Sequence, residues 1–449
     1  MTMARPRIGV VPLARPTFDV PFAEAAAAAA FAALDRLDAE IVGPRSLLFD
    51  AAAVEAALPQ LTARPLDLLL ALQVTFTDAT MTVRLAERVG APMVLWAFPE
   101  DRTGGRLRLN SLCGVNLAAH ALGRAGHGYG WVHGAPDDAA ALEEVRAWAE
   151  AGRLRSRLQG MRLGLAGQHP DGFDTCRYDA GELKRAFGVE VAPMRLADVF
   201  AAAEAVPDAE ADRLYAETQA QLGNLDTLEQ EPLRKSLKTY AALRSIADRE
   251  SLAGMAVRCW PEFFTEYGCA ACGAMAKLNE DGTPAGCEAD VYGTLTTVML
   301  RELSGQPCFM ADLVDVDAAS DTAVLWHCGL APLSMADAEG PVRATVHSNR
   351  RKPLLNEFGL KPGRVTIARV SQAGNRTRLV LAGGEMLRAP LSFSGTSGVV
   401  RFDDPAAAVL DRLLEEGLEH HTSFAYGEHR PALRRFARMA GLPVLELTR

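Results

Sequence analysis

The feature that most restricts what this chain can fold into is an alternation of short apolar runs with helical stretches, beginning near the N-terminus. Residues 7–12, Arg-Ile-Gly-Val-Val-Pro, read as a strand, and an alanine-rich helix follows from Glu24 to Leu34. Leu68 to Leu72 is a second apolar run before a helix over Asp78 to Val89, and Pro92 to Ala97 is a third. Strands alternating with helices predict a parallel sheet. A charged amphipathic helix over Asp137 to Leu154 precedes a new strand at Met161–Gly167, which places a domain boundary near 157. From Val342 the pattern changes to short alternating strands, Arg343–His347, Arg364–Val370 and Arg378–Leu381, separated by glycine turns. The expected architecture is two Rossmann-like doubly wound α/β domains, 1–157 and 158–305, followed by a β-rich, barrel-like α+β domain over 306–449.

Composition closes off several functions. The net charge of -9 argues against the basic footprint of a nucleic-acid binder. The alanine run is bounded by Glu24 and Asp35, well short of the ~20 residues a membrane span needs. The start of the chain shows no export signal, and the eight cysteines sit mostly beside small or apolar residues, as reduced thiols do, so the expected setting is cytoplasmic. Cys269-Ala-Ala-Cys272 has no second pair at zinc-finger spacing. The glycines between 164 and 172 lack both the dinucleotide and the phosphate-loop spacing, so they read as a tight turn.

Acids, thiols and a histidine crowd residues 257–332. Val291 to Leu303 follows helical spacing and ends at Ser304-Gly305-Gln306-Pro307, so Glu288 and Asp290 stand at a helix start. Cys308 to Ala311 reads as a short buried strand ending in Asp312, and Thr322 to Trp326 as another ending in His327. In open α/β sheets ligands bind beyond the carboxyl ends of strands, where these carboxylates and an imidazole could meet around a hard divalent cation. Two plainer readings stand beside this one. Either acid could simply favour the helix dipole, and His327 could be a hydrogen-bonded core histidine. Arg258, beside Cys259-Trp260-Pro261 at an apparent strand end, could orient the hydroxyls or a negative substituent of a ligand.

In order and spacing these residues resemble the L-arabinose isomerase and L-fucose isomerase superfamily of metal-dependent aldose–ketose isomerases. The segment His420-His421-Thr422-Ser423-Phe424, followed by a helix and Met439-Ala-Gly-Leu-Pro-Val444, is similar to the arabinose isomerase ending. The resemblance implies Glu288, Asp312, His327 and His421 as metal ligands, with Glu288 ahead of Asp290 because its distance to Asp312 matches the family. Aspartate at 312 agrees with the fucose branch, and His327 with the arabinose branch. It further implies Mn²⁺, with Mg²⁺ or Co²⁺ as substitutes, and a homo-oligomer, trimer or hexamer, with sites at subunit contacts. Asn110 to Asn116 resembles the polar segment that closes over sugar bound in an adjacent subunit, although a capped helix entry explains it equally well. Trp260 and His429 complete the expected substrate contacts.

Ketol isomerisation moves a proton between neighbouring carbons while charge builds on two oxygens, a task for paired acids and a divalent ion. Glu288 and Asp312 take the acid–base roles jointly, since coupled acids do not titrate independently. The expected substrate is a pentose, a 6-deoxyhexose or a modified hexose. A sulfonated or branched sugar, its unusual substituent held by Arg258 or Arg15, is the alternative, and a non-catalytic sugar-binding relative is the reading from another class.

Overall fold

The computed structural model describes residues 4–449 and divides into two compact units, the chain up to Arg157 joined by Pro431–Gly441, and Leu158–Arg430 joined by Leu442–Arg449. The expected segments 158–305 and 306–449 both fall within the second unit apart from Pro431–Gly441.

The first unit is built on five parallel strands, β1 (Arg7–Leu13), β2 (Glu40–Val42), β3 (Leu68–Gln73), β4 (Met93–Ala97) and β5 (Tyr129–His133), in the order β2-β1-β3-β4-β5. Between them run α1 (Val20–Leu34), α2 (Ala51–Thr62), α3 (Thr80–Val89) and α4 (Ser111–Arg124), and α5 (Ala139–Leu158) follows. Every residue of β3 and β4 is buried, because separate hydrophobic clusters cover the two faces of the sheet. That two-sided cover is why the strands read as unbroken apolar runs. Asp19 starts α1 by accepting the Phe22 N–H at 3.2 Å, one turn before the alanine run.

The second unit holds two sheets. Four parallel strands, β6 (Arg162–Ala166), β7 (Glu190–Met194), β8 (Leu252–Val257) and β9 (Ala285–Gly286), pair in the order β7-β6-β8-β9. The connecting helices are α6 (Ala180–Phe187), α7 (Leu196–Glu204), α8 (Asp208–Leu222), α9 (Gln230–Glu250) and α10 (Cys272–Glu280), with α11 (Val291–Ser304) after β9. Nine further strands form a mixed sheet: β10 (Phe309–Asp317), β11 (Thr322–His327), β12 (Arg343–Thr345), β13 (Leu355–Gly359), β14 (Gly363–Ser371), β15 (Arg378–Leu387), β16 (Thr396–Phe402), β17 (His421–Tyr426) and β18 (Val444–Glu446). Because β15 also pairs with β16, the ring β16-β11-β10-β17-β14-β15 closes on itself, leaving six strands without a free edge. Helix α12 (Ala406–Glu415) precedes β17, and α13 (Arg430–Ala440) precedes β18.

Helix α11 positions the site. Asp290 caps its start by accepting the Gly293 N–H at 2.8 Å, and Gly305, at φ 66°, ends it. Nearly every residue between is buried, which periodicity alone did not reveal. Thr294, Thr296 and Thr297 satisfy their buried hydroxyls on carbonyls one turn back, at 2.7, 2.7 and 3.0 Å. Two of them also tie the helix to the barrel: Thr296 accepts the Val370 N–H of β14 at 2.9 Å, and Thr297 meets Ser423 of β17 at 2.9 Å.

Two local expectations are corrected. The strand expected to stop at Asp312 continues to Asp317, because pairing with β11 runs on past the end of the pairing with β17 and leaves Asp315 and Asp317 exposed to solvent. His421, expected on a loop, opens strand β17, where Thr422, Ser423, Phe424 and Tyr426 supply β-branched, small and aromatic side chains to two neighbouring strands. No helix among the described residues is long and apolar enough to cross a membrane.

Candidate active site

Three neighbouring barrel strands bring a histidine and an aspartate into line. Asp312 on β10 lies directly opposite His421 on β17 and opposite Trp326 on β11, and His327 ends β11. Residues in direct register on an antiparallel pair share a face, so the pairing sets the Asp312 and His421 side chains beside each other. Glu288 arrives from the turn between β9 and α11. It and Ala289 hold left-handed backbones, φ 57° and 55°, which residues with a Cβ rarely adopt. Strain of this kind persists only where the surroundings fix it, and it turns the Glu288 carboxylate toward the barrel.

The donor atoms converge. Nε2 of His421 stands 3.7 Å from Glu288 Oε2 and 3.7 Å from Asp312 Oδ1. Two ligands of one ion at ~2.1 Å stand roughly 3–4 Å apart, and donor atoms cluster this closely in two groups that share His421, one with Asp312 and His327, the other with Glu288, His420 and Cys176. Asp312 Oδ1 and His327 Nε2 are both buried without a hydrogen-bond partner. A buried polar atom left unpaired costs about 1–3 kcal/mol; a cation would satisfy the Asp312 oxygen, and an acceptor oxygen of a ligand the His327 nitrogen. Oxygen-rich donors with an imidazole are the set a hard or borderline divalent ion takes.

His421 is anchored from behind. Its Nδ1 lies 2.9 Å from Asp290 Oδ2, and Asp290 is paired with Arg369 of β14 through contacts of 2.5 and 3.1 Å. With Nδ1–H given to a carboxylate, the proton-free nitrogen is Nε2, the one facing Glu288 and Asp312. The Asp290 and Arg369 side chains are 1% and 4% exposed. Burial opposes the Asp290 charge, yet Arg369 and His421 hold its carboxyl well below the usual range.

His327 is arranged differently. Its Nδ1 accepts the backbone N–H of Cys328 at 2.8 Å, so the hydrogen bonds assign the ring proton to Nε2. That nitrogen is prepared to donate.

Glu288 is held ionised. Trp260 donates its indole N–H to Oε1 at 2.9 Å, and His420 Nε2 sits 3.1 Å from Oε2. Burial would raise the Glu288 pKa, but His420, His421 and Trp260 outweigh it and lower it. Burial likewise works against charge on His420, and Glu288 raises its pKa, so the two shifts describe one ion pair. Thr175 completes the chain by meeting His420 Nδ1 at 2.9 Å.

Of the residues singled out from sequence, Glu288, Asp312, His327, His421 and Trp260 are brought together. Arg258 stands at the exit of β8, bonded to Glu262 at 2.7 Å and to the carbonyls of Gln168 and His169 at 3.2 and 3.0 Å. His429 lies beyond the opposite end of β17 from His421, its Nε2 3.0 Å from the Tyr426 carbonyl. Asn116 is exposed on α4 in the first unit, where Arg15 is bonded to Asp78 at 2.7 Å. Sequence reasoning missed Arg369 and set His420 aside. The signal for Arg369 was a lone arginine inside an apolar strand, which demands a buried acid.

The chain resembles known proteins along nearly its whole length. Residues 9–151 match the family described as Fucose/sulfoquinovose isomerase, N-terminal domain. The sulfoquinovose isomerase of Alkalicoccus urumqiensis is 32% identical over 407 residues, 90% of this chain and 91% of the relative. That of Priestia aryabhattai is 31% identical over 433 residues, 96% of this chain and 97% of the relative. That of Clostridium sp. (strain MSTE9) is 31% identical over 448 residues, 98% and 99% of the two chains.

Proposed function

Because the chain belongs to the fucose/sulfoquinovose isomerase family and is an aldose–ketose isomerase, we propose that it interconverts a sulfonated aldose and its ketose, sulfoquinovose being the first candidate, with a divalent ion held by Glu288, Asp312 and His421. The observation that carries the metal centre is the convergence of both carboxylates on His421 Nε2 while Asp290 anchors Nδ1. Mn²⁺ is the preferred ion, with Mg²⁺ or Co²⁺ as substitutes. When bound, it supplies positive charge to the two neighbouring sugar oxygens as negative charge builds on them.

The chain's own groups do the rest. Glu288 and Asp312 lie on either side of His421 Nε2, so a sugar's C1–C2 edge placed there has a carboxylate within reach of the carbon-bound proton and another beside the oxygens. One takes the proton from one carbon and returns it to the next, while the other passes a proton between the oxygens. Trp260 and His420 fix the Glu288 carboxylate in place and keep it charged. The Nε2–H of His327 donates to a sugar oxygen, a role that departs from the ligand expected of it. Arg369 keeps Asp290 ionised and so fixes the proton on His421 Nδ1.

The reading includes a cytoplasmic setting, consistent with eight free cysteines, and a trimer or hexamer in which the segment around Asn116 closes over a neighbouring subunit's sugar. Exposed Leu112 and Trp131, beside Asn116 around a cavity of about 420 Å³, support that assembly.

The test is conversion of sulfoquinovose to its ketose, followed by proton NMR, with protein stripped by chelator and then given Mn²⁺. Turnover restored by the ion is expected. Full turnover in stripped protein, or none with any divalent ion, would overturn the reading.

A further inference from the structure

We propose that Arg350 recognises the sulfonate and so sets the substrate specificity of this site; the inference rests on the reading of the substrate as a sulfonated aldose. Three observations converge on it. First, the Arg350 guanidinium lies over the Trp260 ring, 4.8 Å from its centroid, and over Phe264 at 5.2 Å. Trp260 is the residue whose indole N–H holds Glu288. One aromatic ring therefore separates this cation from the acid that works on C1 and C2. The sulfonate of sulfoquinovose stands on C6, at the other end of the carbon chain, so a sugar seated at Glu288 and Asp312 can extend along the indole toward Arg350.

Second, the charge has no anionic partner. Around the site Arg369 is engaged by Asp290, Arg258 by Glu262 and Arg343 by Glu357. Arg350 makes no ion pair among the described residues, and its one side-chain polar contact is Nη1 to His347 Nε2 at 3.3 Å. The flat face of the guanidinium is covered by the aromatic rings, while its edge keeps N–H donors free for an oxyanion. A planar fork of donors matches two oxygens of a sulfonate, as it does those of a carboxylate or phosphate.

Third, the turn that carries Arg350 is set in advance. It joins β12 to β13 and is closed by His347 N–H to the Lys352 carbonyl at 2.9 Å and Arg351 N–H to the His347 carbonyl at 2.8 Å. The buried His347 ring accepts the N–H groups of Asn349 and Arg350 at 3.3 Å each. An arginine on a fixed turn loses less freedom on binding than one on a loose loop.

The experiment compares sulfoquinovose with quinovose, the same sugar without the sulfonate, in wild type, Arg350→Met and Arg350→Lys. For Arg350→Met, kcat/KM on sulfoquinovose should fall about 10- to 100-fold, mostly through KM, as expected for loss of charge-assisted hydrogen bonds. Quinovose turnover should change little, and lysine should restore part of the loss. Equal losses on both sugars, or an unchanged KM for sulfoquinovose, would overturn the assignment while leaving the proposed function standing. Wild-type protein that turns over quinovose and ignores sulfoquinovose would overturn both.

Discussion

Replacing Asp290 with asparagine tests how the site is held together. The side chain is almost isosteric, and its remaining oxygen can still cap α11 through the Gly293 N–H. The other positions fail. Asp290 accepts from Arg369 at 2.5 and 3.1 Å and faces His421 Nδ1 at 2.9 Å, so an amide must turn its own N–H₂ toward a donor. Arg369, 4% exposed, then keeps a buried charge without its close partner. Breaking a buried pair in this way costs about 3–5 kcal/mol. At roughly 2–4 °C per kcal/mol for a unit of this size, Tm should drop by about 10 °C. Loss of the carboxylate behind a ligating histidine should also weaken metal binding about 10- to 100-fold. Differential scanning fluorimetry on stripped protein reads the first effect, and calorimetric titration with Mn²⁺ the second. An Asp290→Asn protein with wild-type Tm and wild-type Mn²⁺ affinity would refute the account of Asp290 as anchor of His421 and counter-charge of Arg369.

Glu288→Gln should fold, with circular dichroism like wild type, and lose turnover by at least about 10³-fold, since it removes the proposed acid–base group and metal ligand; retained activity would remove Glu288 from the chemistry. Gly293→Ala places a methyl that overlaps Met310 and stands 2.6 Å from both Arg369 Nη1 and Asp290 Oδ2. It should cost about 1–3 kcal/mol in thermal denaturation and weaken Mn²⁺ binding although no ligand is changed. An alanine variant as stable as wild type would show that the pair can shift freely.

Much of this was legible in the sequence. The apolar runs of the first unit announced parallel strands because both faces of β1, β3 and β4 are covered, and the Gly305–Pro307 exit ended α11 where the spacing said it would. The order of Glu288, Asp312 and His421, read with the family resemblance, picked out two acids whose carboxylates each stand 3.7 Å from His421 Nε2. What could not be read depends on partners distant in the chain. No local pattern pairs Arg369 with an acid 79 residues earlier, or says that Pro431–Gly441 joins the first unit. The proton position on His327 turns on one backbone N–H, that of Cys328, which spacing cannot show. Arg350 looks in sequence like any exposed basic turn; its stacking on Trp260 exists only after folding.

The in-register alignment of Asp312 with His421 across β10 and β17 also bears on how such a protein tolerates change in chain length. A strand alternates faces with period two, so one residue gained or lost between Phe309 and Asp312 would carry the aspartate to the opposite side of the sheet. That stretch can accept substitutions but not insertions. The turn bearing Arg350 lies between two strands and outside the ladder that aligns the acids, so its length and composition can drift while the reaction survives. Divergence in a lineage with this architecture is thus channelled toward new sugars and away from new chemistry.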